Sequence, residues 1–433
     1  MRVLRLAIPS SPSRSVVLSA IYRELLADGV PAEVHIISDS GSEAFRTVRD
    51  VFSRLEWSDT EVTLHEVSGV SGWFTALDGL DVDVVDVTPG RKVHALTLYA
   101  QAVGSGARVR YSYLIDERRF GYMYPGYAPP HAVRLLEIHP GLRELGYGVP
   151  EVLEPGSWEG DVTAREIHAL INTARTRWSE LRLAARGVNL RIDASKEPLE
   201  VIQADGPGAG ACLSYASAPA NIWDAVGEVR ACARRRCAVA LDTSALMAGM
   251  NEFLARVVPG YGSLVRHLGP VMGEVMDFLE MKHSWEGIGR KLAYLDALAA
   301  GDAVAPGRAR AWGKGDKEII AALNDVIASH ACTCFITADR NLADALRARG
   351  NVKVILLKHS RDPNLIEESL IRLVRCTALA GKASISVGRL RMRLGGASLI
   401  GGEVRVQASM KSYGRLAALV TALVRASLSK NAQ

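Results

Sequence analysis

Four acidic residues in the second half of the chain have types and spacings that could bind a divalent cation. Asp242 ends the apolar run that begins at Cys237, and Asp339 ends a second apolar run in the same way. Asp316 opens a helix-like stretch, and Glu274 lies between the apolar positions of another. A carboxylate is costly to bury unless a positive charge compensates it. The four acids therefore predict a shared cation.

Each acid taken alone also has a structural explanation, such as Asp316 acting as an N-terminal helix cap. Glu274 has two acidic neighbours, Asp277 and Glu280, that could take its place. Together, however, two strand-end aspartates, a helix-start aspartate and an inward glutamate would meet at one edge of a parallel sheet. Crowded carboxylates raise one another's pKa unless a cation neutralises them. Oxygen-only ligands favour Mg²⁺ or Mn²⁺ over Zn²⁺.

The elements that must position these acids alternate between strands and helices. Strands are predicted at 237–241, 334–337 and 352–357, with helices at 268–279 and from residue 316 onward. The loop ahead of Asp316 is rich in Gly and basic residues, so its side chains could contact RNA phosphates. These side chains are Arg308, Arg310 and Lys314.

The acids and their neighbours resemble the PIN nuclease family over about residues 237–358. The matching residues are Leu-Asp-Thr-Ser-Ala-Leu at 241–246, Glu274, Gly-Asp-Lys-Glu-Ile-Ile at 315–320 and Phe-Ile-Thr-Ala-Asp-Arg-Asn-Leu at 335–342. The resemblance implies metal-dependent hydrolysis of single-stranded RNA. It implies that the catalytic Mg²⁺ or Mn²⁺ ligands are Asp242, Glu274, Asp316 and Asp339. Thr243 and Thr337 would then orient a carboxylate or a water molecule.

The first 116 residues alternate between strand-like and helix-like runs, which predicts a parallel sheet with crossover helices. Strands are predicted at 3–8, 33–38, 62–67, 82–87 and 108–115. A loop with Ser10 and Ser11 follows the first strand, and Thr88-Pro-Gly-Arg-Lys follows the fourth. A strand, a tight turn and a helix start point free backbone N–H groups at an anion. The alternative is that Thr88 only caps a helix and the two bases are solvated.

This arrangement resembles the CARF domains, the cyclic-oligoadenylate sensors of type III CRISPR systems, over roughly residues 1–120. The resemblance implies a Rossmann-like, doubly wound parallel sheet. In that family the two loops from each subunit of a homodimer line the ligand pocket. Here they implicate Ser10, Ser11, Thr88, Gly90, Arg91 and Lys92 in binding a cyclic oligoadenylate. Both loops also lie at the carboxyl ends of strands, where open α/β sheets bind ligands.

The middle and the end of the chain carry weaker signals. Residues 117–160 are predicted to be irregular, with tyrosines that could stack on bases or pack internally: Tyr122, Tyr124 and Tyr127. A long helix is predicted from Asp161 to Gly187, with Trp178 and Leu181 on its apolar stripe. Short strands are predicted over 188–218, a hairpin or loop at 206–210 and a helix at 221–231. The tail is predicted to form a helix at 366–379, strands at 384–387, 389–394 and 403–407, and a helix at 415–428.

The composition sets broad limits. A chain of 433 residues predicts two or three domains, and 48% hydrophobic with 23% charged residues excludes a disordered protein. The net charge of +5 is compatible with a polyanionic partner. The first apolar run is too short for a secretory signal, and no run approaches the roughly 18 apolar residues of a membrane span. Six cysteines without disulfide or zinc-ligand spacing predict reduced thiols in a cytoplasmic protein with no membrane partner.

We therefore expect an α/β protein with a ligand-sensing domain at 1–120, an α+β connector at 121–236, a PIN-like nuclease domain at 237–360 and an extension at 361–433. The expected function is a cyclic-oligoadenylate-activated ribonuclease of type III CRISPR defence, acting as a homodimer. Two alternatives remain open. The sensor pocket could itself cleave the activator, as a ring nuclease does, or the chain could be a ligand-responsive regulator that binds nucleic acid without cutting it.

Overall fold

The chain folds into two units whose boundaries differ from the segments expected from sequence. The computed structural model describes residues 4–39, 41–56, 58–121, 123–277, 281, 284–299, 313–348, 350, 352–360, 362–400 and 402–429. Unit 1 comprises Met1–Glu180, Ser386–Arg393 and Ala408–Gln433, and unit 2 comprises Leu181–Ile385 and Leu394–Gln407. The four functional segments expected from sequence stay a prediction.

Unit 1 contains a seven-stranded sheet with the strand order β3-β2-β1-β4-β5-β6-β7. Its strands are β1 (Arg5–Pro9), β2 (Glu33–Ser38), β3 (Glu61–Glu66), β4 (Val84–Asp86), β5 (Arg108–Leu114), β6 (Val133–His139) and β7 (Arg143–Leu145). The first five strands pair in parallel, and β6 and β7 join in antiparallel pairs. The five predicted strands are thus confirmed.

The helices of unit 1 cross between these strands and follow them. They are α1 (Arg14–Asp28), α2 (Glu43–Ser53), α3 (Gly69–Trp73), α4 (Lys92–Ser105), α5 (Glu117–Phe120) and α6 (Ala164–Ala174), with single 3-10 turns at Pro130–Ala132 and Glu151–Leu153. The closing helix of the chain, Gly414–Leu428, also belongs to unit 1, as does β8 (Trp158–Thr163). Trp73 and Leu98 pack with Val85 and Val109 in a buried cluster.

Two predictions for the middle of the chain are wrong. Residues 117–160 are not irregular throughout, because β6, β7 and β8 form there. The long helix from Asp161 to Gly187 is also absent from the described residues: Asp161 lies in β8, and α6 begins only after Thr163. Thr163 and Glu166 form a capping box, which fixes the helix start. The helix ends at Ala174, and the residues from Glu180 onward alternate between buried and exposed as a strand does.

Unit 2 contains a four-stranded parallel sheet with the order β13-β12-β14-β15. Its strands are β12 (Ala238–Leu241), β13 (Val265–Arg266), β14 (Thr333–Thr337) and β15 (Lys353–Leu356). Its helices are α7 (Pro207–Ala216), α8 (Ile222–Arg234), α9 (Thr243–Met247), α10 (Met250–Val257), α11 (Gly269–Met276), α12 (Trp285–Leu298), α13 (Asp316–Ser329), α14 (Arg340–Arg347) and α15 (Ser369–Leu379), with a 3-10 turn at Tyr261–Ser263. The three strands predicted here are confirmed, and β13 is an addition.

The remaining strands are neighbours in the order β11-β10-β9-β16-β17-β18. They are β9 (Glu180–Ala185), β10 (Val188–Asp193), β11 (Glu200–Asp205), β16 (Ala383–Val387), β17 (Leu390–Ile400) and β18 (Glu403–Met410). Parallel and antiparallel sheets together with helices confirm the α/β class. The helices and strands predicted for the tail are also confirmed, with α15 starting three residues later than expected.

The prediction of a hairpin or loop at 206–210 is wrong, because α7 begins at Pro207. Proline suits the first turn of a helix, where its missing N–H would have no partner in any case. Gly206 has φ +91°, and a Cβ there would approach the carbonyl oxygen of Gly187 to 2.5 Å. Glycine is therefore required at the turn that delivers the chain into this helix.

All six cysteines are paired in disulfides, so the expectation of reduced thiols is wrong. The bonds join Cys212 to Cys376, Cys232 to Cys334 and Cys237 to Cys332. The partners are separated by 95 to 164 residues, so sequence spacing could not reveal them. Among the described residues, no helix is long and apolar enough to cross a membrane.

Candidate functional site

Asp242 and Asp339 lie at the same edge of the parallel sheet of unit 2. β12 and β14 are hydrogen-bonded neighbours with Leu241 opposite Ile336, so their carboxyl ends coincide. Asp242 follows β12 directly, and Asp339 follows β14 after one intervening residue. Each aspartate caps the helix that leaves its strand, with carboxylate oxygens accepting from Ala245 N and Leu342 N respectively. The sequence prediction that the two strand-end aspartates meet is confirmed.

The Asp242 carboxylate is held by donors on three sides although its residue is only 4% exposed. It accepts hydrogen bonds from Ala245 N at 2.8 Å, from the Ser244 hydroxyl at 2.8 Å and from Thr337 Oγ1 at 2.6 Å. Burial raises the pKa of Asp242 above the ordinary aspartate value, and the negative charge of Asp339 raises it further, whereas these hydrogen bonds lower it. Asp242 is thus a buried carboxyl group that a nearby cation would strongly favour in its charged form.

Hydroxyl groups connect the two strand ends. Thr337 Oγ1 donates to Asp242 and accepts from the backbone N–H of Asp339 at 2.9 Å. Ser244 Oγ, in turn, accepts from the N–H of Ala338 at 2.8 Å. Thr337 therefore fixes both aspartates at once, which agrees with the orienting role inferred for it.

Glu274 reaches the same edge from α11. One of its carboxylate oxygens accepts from the hydroxyl of Thr243, the residue after Asp242. The other accepts from the N–H of Gly315 at 3.0 Å, and Asp316 follows as the exposed first residue of α13. The structure thus connects the Asp242 turn, Glu274 and the start of α13.

The acidic alternatives to Glu274 differ in position. Asp277 forms an ion pair with Lys314, and Glu280 lies outside the described residues. Arg290 donates to the backbone carbonyl oxygen of Glu274 at 2.9 Å and so anchors the end of α11. Arg308 and Arg310, proposed to contact RNA phosphates, also lie outside the described residues.

The chemistry of these donors fits a hard divalent cation. Within the part of the chain that the structure describes, none of the four carboxylates forms an ion pair with a basic side chain. All four supply oxygen, which Mg²⁺ and Mn²⁺ prefer. Among described residues, no three of these carboxylates bring oxygen atoms within 4.8 Å of one another. The carboxylate oxygen atoms are therefore farther apart than the ligand atoms of a closed coordination sphere.

In unit 1, the loops after β1 and β4 lie side by side. A Cβ at Gly90 would come within 3.1 Å of Pro9 Cγ and 3.2 Å of Ala95 N, so glycine lets the two loops approach. Ser10 Oγ donates to Ser38 Oγ at 2.8 Å, and Ser11 Oγ accepts from Ser13 N at 3.3 Å. Both serines are partly exposed at this edge of the sheet.

The Thr88 loop combines a fixed turn with an open helix start. Asp86 is buried at the end of β4 and accepts from Thr88 N at 2.8 Å, while Thr88 Oγ1 accepts from Ser112 N at 2.7 Å. Arg91 and Lys92 are exposed at the start of α4. No side chain among the described residues caps this helix. Its first N–H groups and two positive charges therefore form an anion-binding edge.

A histidine that the sequence analysis did not single out lies in the first turn of α4. His94 stacks on Trp73 with ring centroids 3.8 Å apart and a 6° angle between the ring planes. Its Nε2 lies 3.9 Å from a carboxylate oxygen of Asp39. Its Nδ1 is buried and has no hydrogen-bond partner among the described residues. Burial lowers the pKa of His94, which favours the neutral ring.

The tyrosines between the first sheet and α6 serve packing. Tyr124 and Tyr127 are buried, and the Tyr124 hydroxyl lies 3.1 Å from His168 Nδ1. Their rings also contact each other edge to face, with centroids 5.1 Å apart. These two side chains do not offer a face for bases, and Tyr122 lies outside the described residues.

Comparisons with known proteins add little. No protein-family model matches the chain, and no curated protein matches its sequence. Among solved structures, Can2 from Sulfobacillus thermosulfidooxidans in complex with cyclic tetra-adenylate is 12% identical, with a TM-score of 0.28 over 86% of this chain and 96% of that one. Protein VC1899 from Vibrio cholerae is 10% identical, also with a TM-score of 0.28 over 86% and 96% of the two chains. Similarities this weak carry no conclusion about this chain.

Proposed function

We propose that the chain is a metal-dependent ribonuclease that a cyclic oligoadenylate activates, as the combined CARF and PIN resemblance implies. The observation that carries the proposal is the convergence of Asp242, Glu274, the start of α13 and Asp339 at one sheet edge. Asp242 and Asp339, the first and the last of the four acids, are 97 residues apart along the chain. Hydrogen bonds connect the Asp242 turn to Asp339 through Thr337, and to the start of α13 through Glu274. A separate structural role for each acid does not explain these connections.

The sheets support the two family resemblances. The parallel strand order β3-β2-β1-β4-β5 follows the Rossmann order 3-2-1-4-5, with the proposed ligand loops at the carboxyl ends of β1 and β4. In the parallel sheet with the order β13-β12-β14-β15, Asp242 follows β12 and Asp339 follows β14, while Glu274 and Asp316 lie on helices. Both proposed sites thus occur where open parallel sheets usually bind ligands.

At the carboxylate edge, the proposed Mg²⁺ or Mn²⁺ ligands are Asp242, Glu274, Asp316 and Asp339. When bound, such a cation supplies a water molecule of lowered pKa and offsets negative charge on the scissile phosphate. Thr337 holds Asp242 in a fixed orientation, and Thr243 does the same for Glu274. Burial of Asp242 limits competition from bulk water and strengthens its interaction with a cation.

In unit 1, the anion-binding edge of α4 would hold the phosphates of the activator. Arg91 and Lys92 provide charge, and the uncapped helix start provides N–H donors. Converting a mostly inactive population into a mostly active one requires roughly 5 kcal/mol of preference for the active state. Several phosphate contacts of this kind could supply that preference.

A homodimer is supported by an exposed apolar stripe on α4. Val93, Leu96, Tyr99 and Val103 recur along the helix and are all exposed, Leu96 by 68%. A contiguous apolar surface of this kind is typical of an interaction site. A second copy meeting it across a twofold axis would bring two sets of ligand loops together, which suits a symmetric cyclic activator.

The decisive experiment incubates full-length protein with labelled single-stranded RNA and Mn²⁺, with and without cyclic tetra-adenylate or hexa-adenylate. We expect cleavage that requires Mn²⁺ and rises with one of the activators. Asp242→Asn and Asp316→Asn should abolish it. Asp325→Asn provides the matched control, because Asp325 is an exposed acid on the same helix as Asp316 but away from its start.

The sensor is tested in the same assay. Lys92→Ala should weaken activation without affecting the fold, whereas Lys411→Ala, an exposed lysine elsewhere in unit 1, should not. RNA cleavage that survives Asp242→Asn would refute the proposed metal site. Cleavage that ignores every cyclic adenylate would refute the sensor.

His94 favours one second candidate, a ring nuclease acting on the activator. The neutral imidazole stacked on Trp73 lies in the helix that carries the anion-binding edge, and a neutral histidine can accept a proton from a ribose hydroxyl. This candidate predicts that the protein degrades the cyclic activator but not RNA. The His94→Ala variant should then no longer degrade the activator. Binding of RNA and activator with neither cleaved would instead indicate a non-catalytic regulator.

A further inference from the structure

Four of the six cysteines gather at the amino ends of β12 and β14. Cys237 precedes β12, Cys332 precedes β14, Cys334 lies in β14, and Cys232 lies in the last turn of α8. The sulfur atoms of Cys232, Cys237 and Cys334 all lie within 4.8 Å of one another. Cys332 belongs to the same cluster because it is bonded to Cys237. We call these four residues the thiol cluster.

The thiol cluster is more than a pair of independent disulfides. Cys212 and Cys376, the third pair, connect α7 to α15 and contribute no atom to the three-sulfur group that includes Cys232. In the thiol cluster, by contrast, sulfur atoms of two different disulfides approach one another. Reduction of the two disulfides gives four thiols, and three of their sulfur positions, those of Cys232, Cys237 and Cys334, lie within 4.8 Å of one another.

We propose that the reduced chain binds one Zn²⁺ ion through Cys232, Cys237, Cys332 and Cys334. Zinc takes four thiolates in a tetrahedron with Zn–S distances of about 2.3 Å, which places the sulfurs about 3.8 Å apart. The sulfurs of Cys232, Cys237 and Cys334 lie within 4.8 Å of one another, and Cys332, which is bonded to Cys237, supplies the fourth thiolate once the disulfides are open. The site offers only sulfur, so it selects a different class of metal from the carboxylate edge.

The local backbone presents the four cysteines as two pairs, and the expectation that no pair has a zinc-ligand spacing is wrong for Cys232 and Cys237. Cys232 and Cys237 are separated by four residues where α8 ends and β12 begins, a spacing used by zinc ligands. Cys332 and Cys334 are two residues apart at the start of β14, so their side chains leave the same face of the strand. Backbone pairing of the two strands joins these ligand pairs, with Ala238 N donating to Cys332 O at 3.0 Å.

The conversion between the two forms balances. Opening both disulfides requires four electrons and four protons, which two molecules of a dithiol reductant supply as each closes its own disulfide. Cys332 is the partly exposed member, so the Cys237–Cys332 bond offers the route of attack. The freed Cys237 sulfur lies within 4.8 Å of the second disulfide and can exchange with it. Four thiols then release four protons as they bind one Zn²⁺.

Either form fixes β12 against β14 at the ends opposite the carboxylate edge. Asp242 and Asp339 follow the carboxyl ends of the strands whose amino ends carry the thiol cluster. The proposed zinc therefore replaces the disulfides as the link between these strands in a reducing environment. It does not depend on the proposed ribonuclease activity.

The test uses the full-length chain, reduced without oxygen, loaded with Zn²⁺ and desalted before metal analysis. We expect one tightly held zinc per reduced chain and none in the oxidised chain. Cys332→Ser with Cys334→Ser should lose the zinc, whereas the matched variant Cys212→Ser with Cys376→Ser should keep it. Asp242→Asn with Asp339→Asn should also keep it, which separates this site from the carboxylate edge.

Loading the reduced wild-type chain with Co²⁺ provides a readout that needs no variant. Four thiolates around Co²⁺ should give intense visible bands of a tetrahedral site together with sulfur-to-cobalt charge transfer. Absence of these bands, or equal zinc content in the two cysteine double variants, would overturn the proposal.

Discussion

Thr337 donates its hydroxyl to Asp242 over 2.6 Å and thereby joins the carboxyl ends of β12 and β14. The same hydroxyl accepts from the backbone N–H of Asp339 at 2.9 Å. A single threonine thus holds the buried acid of the candidate site and the turn that carries its neighbour.

Thr337→Val should destabilise the protein by about 1–3 kcal/mol, because a buried carboxylate and an N–H lose their partner. Thr333→Val is the matched control on the same strand: Thr333 Oγ1 is buried and has no hydrogen-bond partner within the described residues. Its replacement should be neutral or stabilising. Urea unfolding of both oxidised variants measures the difference. An equal loss in the free energy of unfolding of the two variants would show that the Thr337 hydrogen bonds do not stabilise the protein.

The same variant should change the pH dependence of RNA cleavage. Hydrogen bonds to the charged carboxylate lower the pKa of Asp242, so removing one raises this pKa further. The acid limb of the Mn²⁺-dependent rate should therefore move to higher pH in Thr337→Val and stay in place in Thr333→Val. An acid limb at the same pH in both variants would contradict the assignment of Asp242 as an essential ionised ligand.

Mn²⁺ should stabilise the folded protein in a pH-dependent manner. Binding at about 100 times the dissociation constant contributes about 2.7 kcal/mol. The folded-state pKa of Asp242 is raised above its ordinary value. In the metal-free protein, ionisation of Asp242 therefore lowers the free energy of unfolding as the pH rises through this range, and the loss is absent at low pH, where the group is protonated. Protons displace the cation as pH falls through the same range. Thermal unfolding curves with and without Mn²⁺ should accordingly converge at low pH.

Asp242→Asn is the control for this measurement and should show little Mn²⁺ stabilisation at any pH. Asp325→Asn, on an exposed helix face, should behave as the wild type. A stabilisation by Mn²⁺ that persists in Asp242→Asn would locate the cation elsewhere.

Gly90→Ala should weaken binding of the cyclic adenylate that activates the protein. The added methyl group would lie 3.1 Å from Pro9 Cγ and 3.2 Å from Ala95 N, forcing the two ligand loops apart. Gly141→Ala adds a methyl group with no atom within 4 Å in the described structure and serves as the control. Isothermal titration with the activating cyclic adenylate compares the variants. Unchanged affinity in Gly90→Ala would place the ligand away from these loops.

Leu96→Glu should dissociate the proposed homodimer, because it places a charge in the exposed apolar stripe of α4. Leu142→Glu controls for the charge itself, since Leu142 is 78% exposed in the turn between β6 and β7. Sedimentation velocity over a range of protein concentrations distinguishes them. A wild-type chain that sediments as a monomer, or a Leu96→Glu variant that remains dimeric, would refute this interface.

The fold was predictable where hydrophobic periodicity was clear. Apolar runs ending in polar turns located β1, β2, β4, β12 and β14, because a buried parallel strand needs an apolar sequence on both faces. After residue 160 the apolar periodicity predicts a helix that continues past the observed helix end at Ala174 and into β9. Apolar residues recur at helical spacing across that junction, and tertiary pairing of the strand outweighs the local pattern.

Within the candidate site, the sequence located the acids and the hydroxyls of Thr243 and Thr337, but not the backbone N–H that holds Glu274. The N–H of Gly315 reaches Glu274 from 41 residues away, a contact that no local spacing encodes. The local sequence does not indicate a role for His94 either, because its ring stacks on Trp73, a residue of another helix.

The sequence by itself determined which residues could act, since strand-end aspartates and a basic helix start follow from local pattern. Only the tertiary structure decided which of them meet. The pairing of β12 with β14 brings Asp242 to Thr337 at one end of the sheet and gathers Cys237 and Cys332 at the other. Chain separation hides both relationships, because hydrogen bonds and disulfides depend on distance in space and not on distance along the chain.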